Sequence, residues 1–423
     1  MLPMCENIFK IRTGFFLVCA LLIFMVTANA NPSASMNNLT ADEMATLALK
    51  DSMYYHFDEW FVRFQVQINR LESAMPSIEN RVELMKFHFN YAGLLGELCH
   101  TLAFTSKYQD EKIAEKFMYH SRQVKDLANE ILDDESVSPE QEAQANLFLG
   151  ASEGYIAIFV YGQGKLLEAL INGFQADNHL EEAISLNPAL VDAYFGLGMY
   201  RYGNSRLGGL GNFIMQGGRD HRLVGLNHIE HAILKGAASQ PLALKTLAWF
   251  YISEQINPKN KGLPNENPLS KMKTRQNALA LLFDLENRYF NQPAPYPHFK
   301  GNKELAMMKA LQYVLDKDYV NARIEFEKVL KIIGHLQNRG FKINPQLTQS
   351  VEEGIDFCSL MLLQTSVGED KKQACMKVNE QMDFLNGGGS MVEYDSKKIR
   401  RELHGVFSEA LLQMAEKMHC EHG

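Results

Sequence analysis

Strict apolar–polar alternation is almost missing from this chain; apolar residues return every three or four positions nearly throughout. That excludes β-sandwiches and barrels and leaves an all-α reading. Cysteine is scarce. Of six, only Cys99, Cys358, Cys375 and Cys420 lie beyond residue 30, an even number but too sparse for a disulfide-stapled scaffold. Cys358 and Cys375 fall on what read as consecutive helices and form one candidate pair; four free buried thiols are the alternative. Positive charge is in deficit as well: 42 Lys and Arg face 50 Asp and Glu, a formal net charge of −8. This favours solubility and argues against a nucleic-acid partner. Beyond residue 30 no segment stays apolar for the roughly 20 residues that a bilayer requires.

The N-terminus reads as an export signal. Lys10 and Arg12 precede an apolar stretch over residues 14–28, and the small-residue pattern Ala28, Asn29, Ala30 follows, so cleavage is expected after Ala30. An uncleaved anchor is the alternative, but about fifteen apolar residues are short for a span. Lipid attachment through Cys19 wants a small residue before it, where Val18 stands. Cleavage removes Glu6, Lys10 and Arg12 and leaves 393 residues with 40 basic and 49 acidic side chains. The expected location is the periplasm or the exterior of the cell, with no integral span after cleavage. Asn38, Leu39 and Thr40 form a glycosylation sequon that matters only in a eukaryotic source.

What the chain does contain is a repeated stencil. Ala176, Leu180 and Ala183 recur in kind as Gly225, Ile229 and Ala232, as Ala278, Leu282 and Leu285, and as Ala322, Phe326 and Val329, with offsets of four and then three. Each set is one helix face. A small residue at the same point of successive helices permits close approach to a neighbour, and recurrence means that the neighbours resemble one another. Upstream of three stencils lies a matching first helix, carried by Tyr194, Leu197 and Gly198, by Leu244, Leu247, Ala248 and Tyr251, and by Ala306, Ala310 and Tyr313. Leu186, Asn187 and Pro188 end one helix and start the next.

On these residues the chain resembles the tetratricopeptide repeat family, whose repeats are helix-turn-helix units of about 34 residues. Ala310 and Ala322 keep the family's interhelix spacing. Inserts stretch Gly198 to Gly225 and Ala248 to Ala278. The run from Asn187 and Pro188 through Tyr194, Phe195, Gly198, Met199 and Tyr200 to Gly217, Gly218, Arg219 and Asp220 is similar to divergent bacterial members of unassigned function. The organisation expected is a signal over 1–30, an N-terminal helical region over 31–138, a repeat array over 139–336 stacked as an α-solenoid, and a C-terminal helical region and cap over 344–423. Within the N-terminal region one long helix is expected over 40–75, opened by a capping box of Thr40 and Glu43, then helices over 78–106 and 110–132. Helices over 347–365 and 370–385, a link at 386–390 and a capping helix over 396–418 complete the chain. Lys397, Lys398, Arg400, Arg401 and Glu402 give that last helix a polar outer face; docking to anionic lipid is the alternative use.

Chemistry-bearing patterns are weak. Gly208, Gly209, Gly211, Gly217 and Gly218 follow a helix rather than a strand, and Gly162, Gln163, Gly164 and Lys165 lack the remainder of a nucleotide-binding loop. The glycine-rich insert is read as a loop with Asp220 capping the helix after it. His221, His228 and His231 could hold a metal, but His228 and His231 adjoin the packing face, where hydrogen-bonded core histidines are the ordinary case. His419, Cys420 and His422 stand at a chain end. No glycine-x-serine-x-glycine elbow occurs. No cofactor, metal or catalytic residue is assigned, and a non-enzyme is expected.

If Tyr194, Leu197 and Gly198 pack between helices, Asp192, Phe195, Met199 and Tyr202 face an inner groove, as do Lys245, Trp249 and Ser253 in the next repeat. Aromatic and methionine side chains beside single charges are the usual interface anchors; core of an irregular array is the alternative. The family resemblance implies that the groove takes a protein or peptide partner. The contrasting function is a helical small-molecule-binding or catalytic domain of the cell envelope, which would require a deep pocket with converging polar groups.

Overall fold

The computed structural model describes residues 39–102, 110–207, 212, 216–256, 271–290, 296 and 298–366. The export signal, the glycine run 208–211, Cys375, the helices expected over 370–385 and 396–418 with their basic cluster, and His419, Cys420 and His422 lie outside them. The described residues form thirteen α-helices and no strand. They divide into two compact units, the first ending at Leu247 and the second starting at Ala248.

The first unit holds α1 (Ala41–Ser52), α2 (Asp58–Glu72), α3 (Ile78–Leu102), α4 (Glu111–Leu132), α5 (Pro139–Gly162), α6 (Leu166–Leu186), α7 (Val191–Leu207), α8 (Arg222–Leu234) and the start of α9 (Gln240–Ile256). From α3 to α8 each helix packs on the one before it, and α1 packs on α3. The second unit takes the rest of α9, then α10 (Lys271–Leu285) with a π-helical turn at Glu286–Phe290, α11 (Lys303–Leu315), α12 (Tyr319–Asn338) and α13 (Pro345–Ser366). Its helices from α10 onward also pack in chain order. Sequential packing of this kind is consistent, within each unit, with a helical solenoid.

Local sequence explains the helix ends. The capping box of Thr40 and Glu43 is formed, and Ser138 with Gln141 makes a second one ahead of Pro139. Asp110 accepts hydrogen bonds from the backbone N–H groups of Lys112 and Ile113 to open α4. The long helix expected over 40–75 is instead two. The chain turns at Tyr55, which has φ of +66°. The Asp51 carbonyl accepts from the backbone N–H groups of Tyr54 and His56, and the Asp51 carboxylate takes the Trp60 indole N–H at 2.8 Å. Apolar periodicity continues through the turn, so it left no sign in the pattern.

All four stencils lie on helices, α6, α8, α10 and α12, and all twelve of their residues are buried. Two of them show why the preceding helix needs a glycine where the stencil crosses it. A Cβ at Gly198 on α7 would stand 2.6 Å from the Gly225 carbonyl oxygen on α8, 2.8 Å from Ile229 Cγ1 and 3.1 Å from His228 Cβ. One pair earlier, a Cβ at Gly150 on α5 would stand 3.0 Å from the Ala176 carbonyl oxygen on α6, 3.0 Å from Leu180 Cγ and 3.1 Å from His179 Cβ. The same three stencil-related positions close on the same point of the preceding helix. The crossing of α5 with α6 is therefore reproduced by α7 with α8, and Gly150 joins the small residues of the pattern.

Candidate functional site

The inner-face residues come first. Phe195, Met199 and Tyr202 on α7 are buried, and so are Trp249 and Ser253 in the second-unit part of α9. Burial leaves Phe195 and Tyr202 no face open to a partner in this conformation, so the open groove expected from the sequence is not found at these positions. In the first unit the N-terminal helices take that place. Lys245 of α9 pairs with Glu97 of α3 at 3.2 Å. Asp42, at the head of α1, lies near enough to act on Asp192. Helix α3 is buried on every side from Met85 to Glu97, as a helix enclosed by others must be.

Asp192 has a structural task. Its carboxylate accepts hydrogen bonds from the Ser239 hydroxyl at 2.6 Å and from the backbone N–H groups of Ser239 and Ala238 at 3.0 and 3.3 Å. These donors stand immediately ahead of α9, so Asp192 satisfies orphan amides at the start of a helix other than its own. Burial pushes its pKa up to about 6, against the opposing pull of those hydrogen bonds.

A half-buried polar cluster on the first unit was not visible in the sequence. Arg201 of α7 meets Asp177 of α6 at 3.7 Å and Glu181 of α6 directly, and approaches His228 Nε2 of α8 at 3.4 Å. Four groups around it titrate abnormally. Burial raises Asp177 to about 6 and raises Tyr200. Burial, reinforced by the guanidinium charge, lowers His228 to about 4 and lowers His221. Tyr194 stacks on His228, with ring centroids 5.6 Å apart, and tilts against His231 at 4.6 Å. His221, His228 and His231, weighed in the sequence as a metal set but read as packing-face histidines, are thus distributed between an arginine and an aromatic ring. Among the described residues no group of three or more His, Cys, Asp or Glu side chains is arranged to hold a metal.

The cluster has a counterpart one helix pair earlier. Glu153 stands three residues after Gly150, as Arg201 does after Gly198, and His179 and His228 each stand three after the first stencil residue. Glu153 accepts from His179 Nδ1 at 2.7 Å and pairs with Lys125 of α4 at 3.0 Å. One position thus carries a polar link across both crossings, with its charge inverted. The hydrogen bonds holding the described part of the glycine-rich insert end on the same helix. The Gln216 amide accepts from the Ser205 hydroxyl and donates to the Arg201 carbonyl, and the backbone N–H of His221 donates to Ser205 Oγ. Asp220 accepts from the backbone N–H of Arg222 at 3.0 Å and holds the buried Arg222 guanidinium.

One face of the first unit is open and apolar. Leu167, Ile171 and Phe174 of α6, spaced by four and three residues, are 72%, 52% and 52% exposed, and Leu166 beside them is exposed too. No helix among the described residues is long and apolar enough to cross a membrane. The class that these features define is an all-helical protein of neighbouring helices packed in order. Comparison with protein-family models, with curated proteins and with solved structures finds no match to this chain.

Proposed function

We propose that this chain is an exported helical-repeat scaffold, related to tetratricopeptide proteins, that binds a partner protein through the outer face of α6. The observation that carries the reading is the exposed stripe of Leu167, Ile171 and Phe174. On a helix whose other face is locked into a close crossing, a row of large apolar side chains in water costs solubility without adding to the core, and such patches mark interaction sites. The stripe carries a single charged neighbour within its span, Glu168, so its complement is an apolar segment of the partner, such as one face of an amphipathic helix. Supporting the repeat assignment is the reproduction of the α5–α6 crossing by α7 and α8.

Capture from the native envelope, using the chain that begins after Ala30, tests this. A defined partner should be retained by the unaltered protein and lost on Leu167→Ser with Phe174→Ser, whose melting should match the parent. Undiminished capture by that variant would remove α6 as the binding face. Phe195→Ala and Trp249→Ala, at buried positions, should lower stability before they alter capture. N-terminal sequencing that finds Met1 in the native protein would replace export with a tethered location.

The second reading, a small-molecule site, draws on the Arg201 cluster, because abnormal titration of several groups around one charge is typical of functional sites. A ligand there would shift the titration of His228, whereas a protein partner on α6 would leave it unchanged.

A further inference from the structure

His88 of α3 and His120 of α4 are both buried and place their Nδ1 atoms 2.8 Å apart. A hydrogen bond at that distance needs one proton between two nitrogens, so one ring is the Nδ1–H tautomer and the other accepts. The other nitrogen of His88 decides which. His88 Nε2 is buried with no hydrogen-bond partner, and a bare lone pair is tolerated there more readily than a bare N–H. His88 therefore carries its proton on Nδ1 and donates to His120.

The surroundings offer the pair no counter-charge. Tyr91 of α3 stacks on the His120 ring with centroids 3.9 Å apart, and Tyr119 of α4 stands edge-on to both imidazoles. From α2, Phe61 and Phe64 close on Tyr91. From α5, the Ser152 hydroxyl donates to the Ser121 carbonyl next to His120, and Tyr155 and Phe148 lie on Phe89. Lys116 of α4 adds positive potential at His120. No carboxylate is among the groups that act on either ring; Glu83 of α3 and Glu115 of α4 each stand five residues away along the chain, Asp42 of α1 pairs with Lys86, and Glu153 of α5 pairs with Lys125 and His179.

We propose that the His88–His120 contact is an acid-labile latch: while only one of the two Nδ1 atoms carries a hydrogen it joins α3 to α4, and with both rings protonated it cannot form. The neutral pair takes up two protons to reach that state: the first leaves an Nδ1–H···Nδ1 bond but a single charge buried without a counter-charge, and the second gives both Nδ1 atoms a hydrogen, so the bond is lost and two like charges face each other in an apolar site. Relief comes from parting the helices and hydrating the rings. The lowered pKa of both rings, His88 to about 4 and His120 to about 3, agrees with a contact that is held most firmly while the pair is uncharged.

Hydrogen exchange of the full chain, expressed as protection factors at about pH 7.5 and about pH 5, reads the latch directly. With two rings that each take up a proton at an ordinary pKa of about 6.5 when open and almost none when closed, protection in α3 and α4 should fall up to about a thousandfold on acidification. Protection in α11 to α13 should change little. His88→Asn with His120→Asn restores a bond that does not titrate, like the reciprocal amide pair that Gln255 and Gln312 already form in the second unit; it should abolish the loss. Unchanged protection in the parent, or an equal loss in the double variant, would overturn the latch. Should that variant fail to fold, exchange at the imidazole Cε1 positions of the parent gives each ring's own pKa. Rings neutral at about pH 5 sustain the proposal; either ring charged above about pH 6 ends it.

Discussion

A single methyl group decides the α7–α8 crossing. Gly198→Ala would bring a carbon to 2.6 Å from a backbone oxygen that no rotamer change can move, so the helices must separate; a cost of about 1–3 kcal/mol is expected. Gly154, one turn beyond Gly150 on α5, is its control. A Cβ there meets only Ala176 Cβ, at 4.0 Å. Gly154→Ala should therefore raise stability by about 0.5–1 kcal/mol through helix propensity alone. Urea melts of the two variants must move in opposite directions, and parallel shifts would refute the crossing geometry. Asp192→Ala leaves two amides and a hydroxyl at the head of α9 without their acceptor and should cost about 1–3 kcal/mol.

At the scale of elements, α12 meets α13 through Tyr319, edge-on to Phe357 with ring centroids 5.8 Å apart, and through Phe326. A Cβ at Gly354 would stand 2.7 Å from Phe326 Cζ. Ala322→Leu should overpack the α11–α12 approach at a cost of about 1–3 kcal/mol, and Phe326→Ala should cost about 3–5 kcal/mol through the cavity it leaves. Lys328, whose side chain is 40% exposed and pairs with Glu325 at 3.7 Å, should tolerate alanine within about 0.5 kcal/mol. Gly354→Ala should destabilise the parent protein yet be nearly neutral in the Phe326→Ala background, a coupling that a double-mutant cycle measures. Additive effects would mean that the ring and the glycine do not meet.

These elements also show what could be read in advance. Helical class, the stencil faces and most helix ends were legible, because a 3.6-residue period and capping residues such as Thr40, Ser138 and Asp110 act locally. The burial of Phe195 and Tyr202 was not, since it depends on tertiary packing that the periodicity of α7 alone does not reveal. Helix α3 itself gave a weak amphipathic signal for the same reason: it is enclosed on all sides. Arg201 looked like any solvated charge on a helix, and only the meeting of α6, α7 and α8 makes it a hub.

Over the molecule as a whole, the first unit titrates through opposed sets of groups. His88, His120 and His228 have lowered pKa values, to about 4, 3 and 4; their contribution is complete above pH 6.5 and is lost as pH falls from there. Asp177 and Asp192 are raised to about 6, so their contribution is complete below 3.8 and is lost as pH rises through about 6. His221 is lowered and Glu83 raised, each by less. Between about pH 6 and 4 the histidines outweigh the acids, and the parent should weaken on acidification. In the His88→Asn, His120→Asn variant the acids prevail, so denaturation midpoints should rise over the same range. A variant that still weakens would show that other groups govern the slope.

The ion pair between Glu97 and Lys245 spans 148 residues of chain. At about 5–20 residues per second, α3 leaves the ribosome roughly 7 to 30 seconds before Lys245 does. The helices that pack on α3, namely α1, α2, α4 and α5, all emerge before α9, so its apolar flanks are covered while its carboxylate still waits for a cation. Chains cut short before α9 should therefore keep those helices together and lose only what the Lys245 ion pair adds.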